Sequence, residues 1–124
     1  MGFSERIRPS VTQELQAAEA ADAAGRPEES FRRLERAHVL GQASTVEHVR
    51  AHLHMLVWAV RHRRVKEVCG QVMRIVGAAT KTGCWIPVGN TGGANVSPFK
   101  PMPIPDDLAR LIAAARATRD SGLR

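Results

Sequence analysis

The stretch from Ile86 to Leu108, IPVGNTGGANVSPFKPMPIPDDL, has neither helical nor strand period, and it interrupts a chain otherwise patterned for helices. Irregular connections longer than about 12–15 residues are uncommon inside small domains, and they usually carry function or are disordered. Disordered segments are poor in apolar residues. This one, with Trp85 just before it, holds Ile86, Val88, Val96, Phe99, Met102 and Ile104. It therefore reads as an arm laid over a helical body, with Trp85, Phe99 and Met102 as packing anchors. Its prolines, Pro98, Pro101, Pro103 and Pro105, favour an extended, polyproline-like path. Gly92 and Gly93 suit tight turns that need positive φ, and Asn90 and Asn95 tolerate similar backbone. A phosphate-cradling loop would need a preceding strand and a following Lys-Ser/Thr, which GNTGGAN lacks.

The rest of the chain gives helical spacing with clear punctuation. Ser10 caps a first helix through Ala24, with Val11, Leu15, Ala18 and Ala21 near one stripe, Asp22 interrupting it and Gly25 ending it. Pro27, Glu28 and Glu29 open a second helix, with a proline in the first turn and acids at the positive end of the dipole. Phe31, Leu34 and His38 share its face up to Gly41. Ser44 or Thr45 starts a third helix through about Arg63. A fourth, Val65 to about Thr80, carries Val68, Val72, Ile75, Val76 and Ala79 at helical intervals. Pro105, Asp106 and Asp107 start a fifth, with Leu108, Leu111, Ile112 and Ala115. The expected architecture is one all-α domain: two antiparallel helix hairpins over residues 10–80, the arm over 81–105, and a C-terminal helix over 106–119.

Two segments can be superposed, GRPEESFRRLERA at 25–37 and RRVKEVCGQVMRI at 63–75, so that Ser30, Leu34 and Ala37 match Val68, Val72 and Ile75. This pairing resembles the tetratricopeptide repeat, although the separation is a helical turn longer than the usual 34 or so residues. Two such pairs leave helix faces uncovered, and the arm and fifth helix are the expected lids. The elements LERAHVLGQ, VKEVCGQVMRI, PVGNTGGANV and PMPIPDDL, from Leu34 to about Leu111, also resemble a family of small bacterial proteins of unknown function, DUF3703. That resemblance implies no activity or cofactor, but it makes the arm part of the native unit.

Charge and cysteine usage bound the partners. The chain has 124 residues and a net charge of +6. The excess lies in Arg61, Arg63, Arg64 and Lys66, with Arg32, Arg33 and Arg36 as a second group. Such a balance favours acidic partners. With no tyrosine and 4% aromatic residues, stacking platforms for nucleic acid are scarce, so the basic corner reads chiefly as a solvated face or a protein-binding rim. Cys69 reads as a buried helix residue and Cys84 as a loop residue; two cysteines make no disulfide framework. Without a secretory signal or an apolar run of about 20 residues, a cytoplasmic location and no membrane contact are expected.

Any chemistry centres on histidine. His48 and His52 stand i, i+4 on one side of the third helix, with Met55 at i+7, away from the main apolar stripe of Val46, Val49, Leu53, Leu56, Val57 and Val60. Glu35 and His38 stand i, i+3 on the second helix, the arrangement that offers carboxylate and imidazole to a metal in some bundles. Facing helices would join Glu35, His38, His48 and His52 into a site for zinc, with copper or iron as weaker fits. No cysteine enzyme or carboxylate pair is indicated: Asp106 and Asp107 are adjacent and fit a helix N-terminus instead. The favoured reading is a non-catalytic module that binds a protein or peptide partner, or a second copy of itself, with Arg61, Arg63, Arg64 and Lys66 on its rim. The alternatives are a metal-binding protein using the histidines and, after it, nucleic-acid binding through the basic corner.

Overall fold

The computed structural model describes residues 1–80, 91–93 and 101–117. Trp85, Asn90, Phe99 and Cys84 lie outside the described residues. Among the described residues five helices follow one another: α1 (Phe3–Ala23), α2 (Pro27–Gly41), α3 (Thr45–Arg61), α4 (Val65–Thr80) and α5 (Asp106–Ala117). α1 packs chiefly on α2 and α3 on α4, while α2 also packs on α3, so two helix hairpins lie side by side. α5 closes over α1 and α2. The protein is all-α.

The first helix begins two turns earlier than Ser10. Gly2 is its N-cap, and the Gly2 N–H donates to Glu5 Oε2 at 2.8 Å. Pro9 lies inside the helix, where it removes one intrahelical donor. Packing overrides that penalty: Ile7 and Val11 are fully buried, with Phe3 against the same core, so the apolar stripe runs straight through the proline. The core continues through Leu15, Ala18, Leu34, Ala37, Leu40, Met55, Trp58, Leu108 and Ala115. Trp58 sits at its edge, donating Nε1–H to the Pro27 carbonyl at 3.1 Å and stacking obliquely on Phe31.

Buried charge ties three helices together. Glu14 of α1 receives Arg33 at 3.2 Å and Arg36 at 3.0 Å from α2, and Arg36 also reaches Asp107 of α5. Two arginines of the second basic group are therefore internal struts. The corner at 61–66 is likewise partly committed: Arg61 pairs with Asp22 at 2.6 Å, His62 binds the same carboxyl, and Arg64 pairs with Glu28 at 2.8 Å while lying over the Trp58 ring. Arg61 holds the Asp22 carboxyl below the usual carboxylate range.

Two helix faces differ from expectation. On α3 the histidine side turns inward with Ala51, Met55 and Ala59, while Val46, Leu53, Val57 and Val60 are exposed. On α4 the superposition with α2 holds in sequence but not in burial: Leu34 is buried, whereas its counterpart Val72 is 47% exposed. Cys69 is exposed too, because it lies on this same outward side of α4. Among the described residues of α4, the buried one is Gln71. Among the described residues, no helix is long and apolar enough to cross a membrane.

Candidate metal centre

A tight corner between α2 and α3 builds the site. Only Gln42, Ala43 and Ser44 separate the helices. Ser44 caps α3, its hydroxyl accepting from the Glu47 N–H at 3.3 Å. Gly41 lets the helix ends close: a Cβ there would fall 2.9 Å from Glu47 Cβ and 3.0 Å from its backbone carbon, so any side chain would push the two apart. The last turn of α2 therefore lies against the first turns of α3. His38 comes from one, His48 and His52 from the other.

The three rings converge through one atom each. The Nε2 atoms are 3.0 Å apart for His38 and His48, 3.1 Å for His38 and His52, and 3.1 Å for His48 and His52. The rings stand at steep angles to one another with centroids 4.6–4.8 Å apart. They are 3%, 7% and 2% exposed in chain order. Burial pushes His48 and His52 down to about 4, so both rings are neutral at pH 7.

This triangle is poorly served by hydrogen bonds alone. A neutral imidazole carries one ring proton, and an N–H aimed at one neighbour makes a poor angle to the other. A single cation satisfies all three lone pairs at once. His38, His48 and His52 would hold a zinc ion through their Nε2 atoms, which are spaced closely enough for one ion to reach all three.

A polar chain backs His52. Its Nδ1 lies 2.6 Å from Gln71 Oε1, and the Gln71 Nε2 donates to Glu67 Oε1 at 2.7 Å and to the Gly92 carbonyl at 2.8 Å. Gly92 has φ +82° and leaves no room for a side chain: a Cβ would meet His38 Cδ2 at 2.6 Å. The expected positive φ is thus found at Gly92, and the glycine also serves a close approach to a histidine. Gly93 is buried beside it, Met102 is half-buried, and Ile104 packs on the core.

Of the residues expected at the site, His38, His48 and His52 are brought together. Glu35 is not part of the converging group; it is half-buried next to Thr91, and burial pushes its carboxyl up. Met55 belongs to the apolar core. His54 is exposed on another side of α3, and His62 is occupied with Asp22. Gln71 and Gly92 were not recognisable as parts of a site from spacing. The one hint was a glutamine set within the Val68, Val72, Ile75 stripe of an amphipathic helix.

The neutral, buried rings carry a stability consequence. In the metal-free protein, His48 and His52 titrate near 4, whereas in the unfolded chain they titrate near 6.5. Between those values the unfolded state holds more protons, so stability is complete above about pH 6.5 and is lost as pH falls toward 4. The loss should approach about 3 kcal/mol per ring. Urea unfolding in chelator at pH 7.5 and pH 4.5 measures it, and equal midpoints would contradict the neutral burial of His48 and His52.

Fold and site together define the class: a small all-α protein of two packed helix hairpins and a closing helix, with three histidines converging at the corner between the hairpins. The chain belongs to a family of proteins of unknown function, DUF3703, whose family model matches residues 5–112. No curated protein and no solved structure matches it.

Proposed function

We propose that this protein binds a transition-metal ion through His38, His48 and His52. The observation that supports the reading is the convergence of three buried Nε2 atoms within 3.0–3.1 Å of one another. Three imidazoles can share hydrogen bonds at these distances, but metal ligation would use the lone pairs of all three at once. Three borderline nitrogen donors suit zinc first, with copper and iron(II) as competitors. The test is elemental analysis of protein purified without tag or chelator. One ion per chain in the wild type and none in His52→Ala is the expected result; a metal-free wild type that also takes up no added zinc, copper, nickel or iron(II) would defeat the reading.

A second reading, docking of a protein or peptide partner, draws on the aliphatic side chains that face outward on α3 and α4, among them Val46, Val57, Val60, Met73 and Val76. It predicts that His52→Ala leaves function untouched while Val57→Asp removes partner capture. Nucleic-acid binding has less support, since Arg61 and Arg64 are engaged by Asp22 and Glu28.

A further inference from the structure

The histidine triangle is not enough by itself to define a metal site, because each imidazole can hold its proton on either nitrogen. A ring protonated at Nε2 turns an N–H toward the centre of the triangle and cannot ligate there. Something has to place the proton on the far side of the ring, and ligating histidines commonly obtain this from a hydrogen-bond acceptor at the other nitrogen. For His52 that acceptor is the side-chain oxygen of Gln71.

We propose that Gln71 is the positioning residue of the site: it fixes His52 as the Nδ1–H tautomer and thereby turns the His52 Nε2 lone pair toward the ion. This rests on the metal-binding reading for its purpose, but its structural half stands on hydrogen-bond geometry alone. A carboxamide has one end that donates and one that accepts. The Nε2 end of Gln71 lies 2.7 Å from Glu67 Oε1 and 2.8 Å from the Gly92 carbonyl oxygen. A carboxylate and a carbonyl offer only lone pairs. Turning the amide over would set its oxygen against both, so the assignment of its two ends is forced. The oxygen end then faces His52 Nδ1 at 2.6 Å and must receive a proton from it. A neutral ring has no second proton, and Nε2 is left bare where His38 and His48 meet it.

The chain of constraint runs from two distant parts of the molecule into one lone pair. Glu67 is one helical turn before Gln71 on α4, and Gly92 comes from the segment that also lies against the His38 ring. Gln71 is fully buried, so water does not compete for its amide. In an apolar helix stripe such a residue would be a liability, but here its amide bonds His52, Glu67 and the Gly92 carbonyl.

Two measurements test this. The first uses metal-free protein labelled with nitrogen-15 in histidine and reads the ring nitrogens by long-range proton correlation. The wild type should show His52 protonated at Nδ1 and bare at Nε2, and Gln71→Leu should show a mixed or reversed tautomer; Nε2–H in the wild type would overturn the proposal. The second is zinc affinity by chelator competition. Gln71→Leu should bind about 10–100-fold more weakly, as losses of such supporting acceptors typically do, while Gln71→Glu, which buried beside Glu67 shares a proton with it and so keeps a donor at that end and an oxygen toward Nδ1, should stay within a few-fold of wild type. Equal affinity for wild type and Gln71→Leu, or an equal loss in both variants, would overturn it. Should Gln71→Leu fail to fold, the wild-type tautomer and Gln71→Glu still decide. If the wild type takes no zinc, the metal reading falls, and the tautomer measurement alone judges Gln71.

Discussion

Zinc added to chelator-treated protein should raise its thermal midpoint by more than about 10 °C at a thousandfold excess over the dissociation constant. The size follows from linkage: a ligand that binds only the folded state at that excess adds roughly 4 kcal/mol, and in a domain near this length each kcal/mol shifts the midpoint by several degrees. The unfolded chain offers no competing site of comparable quality, because the three nitrogens meet only when the α2 and α3 ends are closed at Gly41. His38→Ala, His48→Ala and His52→Ala should each abolish the shift. For His48→Ala and His52→Ala the metal-free protein should gain stability relative to wild type as pH falls to 5, since each removes a ring that burial keeps uncharged. Differential scanning calorimetry with and without zinc decides the matter. A midpoint unmoved by zinc, copper or nickel would remove metal binding as the function of this corner.

Gly92→Ala should weaken zinc binding at least about tenfold and destabilise the protein by about 1–3 kcal/mol. Two penalties combine. The backbone there has φ +82°, which costs a residue with a Cβ about 1–2 kcal/mol. The new methyl would also stand 2.6–2.8 Å from three atoms of the His38 ring, so either the ring leaves the triangle or the segment lifts and takes its carbonyl from Gln71. Gly25→Ala separates the two effects. Gly25 has φ +77° with open space around it, so that variant should pay the backbone penalty and keep wild-type zinc affinity. Urea melts and chelator competition on both variants provide the comparison. Equal zinc affinity for Gly92→Ala and wild type would mean that the segment at 91–93 lies beside the site without bearing on it.

Much of this was legible in the residues. Proline and acids at the start of α2, Gly41 at its end, Ser44 as a cap, and the paired spacing of α4 located those helices almost to the residue, because local chemistry and tertiary packing agree there. The start of α1 was not legible: Pro9 and Ser10 look like a boundary, and only the burial of Ile7 shows that packing carries the helix across it. The histidine group could be assembled on paper, since a short connection forces the end of one helix against the start of the next. Its surroundings could not. Which side of α3 faces inward depends on what α4 brings to it, and α4 brings Gln71 where an aliphatic residue was expected. Glu35 satisfied the spacing rule for a ligand, but a helical register fixes only direction, and its carboxyl ends up beside Thr91 instead of in the triangle. For Trp85, Asn90 and Phe99, the proposed anchoring of the arm lies outside the described residues.

The tight corner at Gly41 also governs how far the chain must reach to complete the triangle. All three imidazoles fall between residues 38 and 52, across the single corner that joins α2 to α3. The entropy of closing a loop grows with the logarithm of its length, so gathering ligands over so short a span forfeits little chain freedom compared with collecting them from remote strands. Gln71 and Gly92 arrive from much farther along the sequence. The histidine group is therefore a local property of the α2–α3 corner, while its alignment belongs to the completed fold.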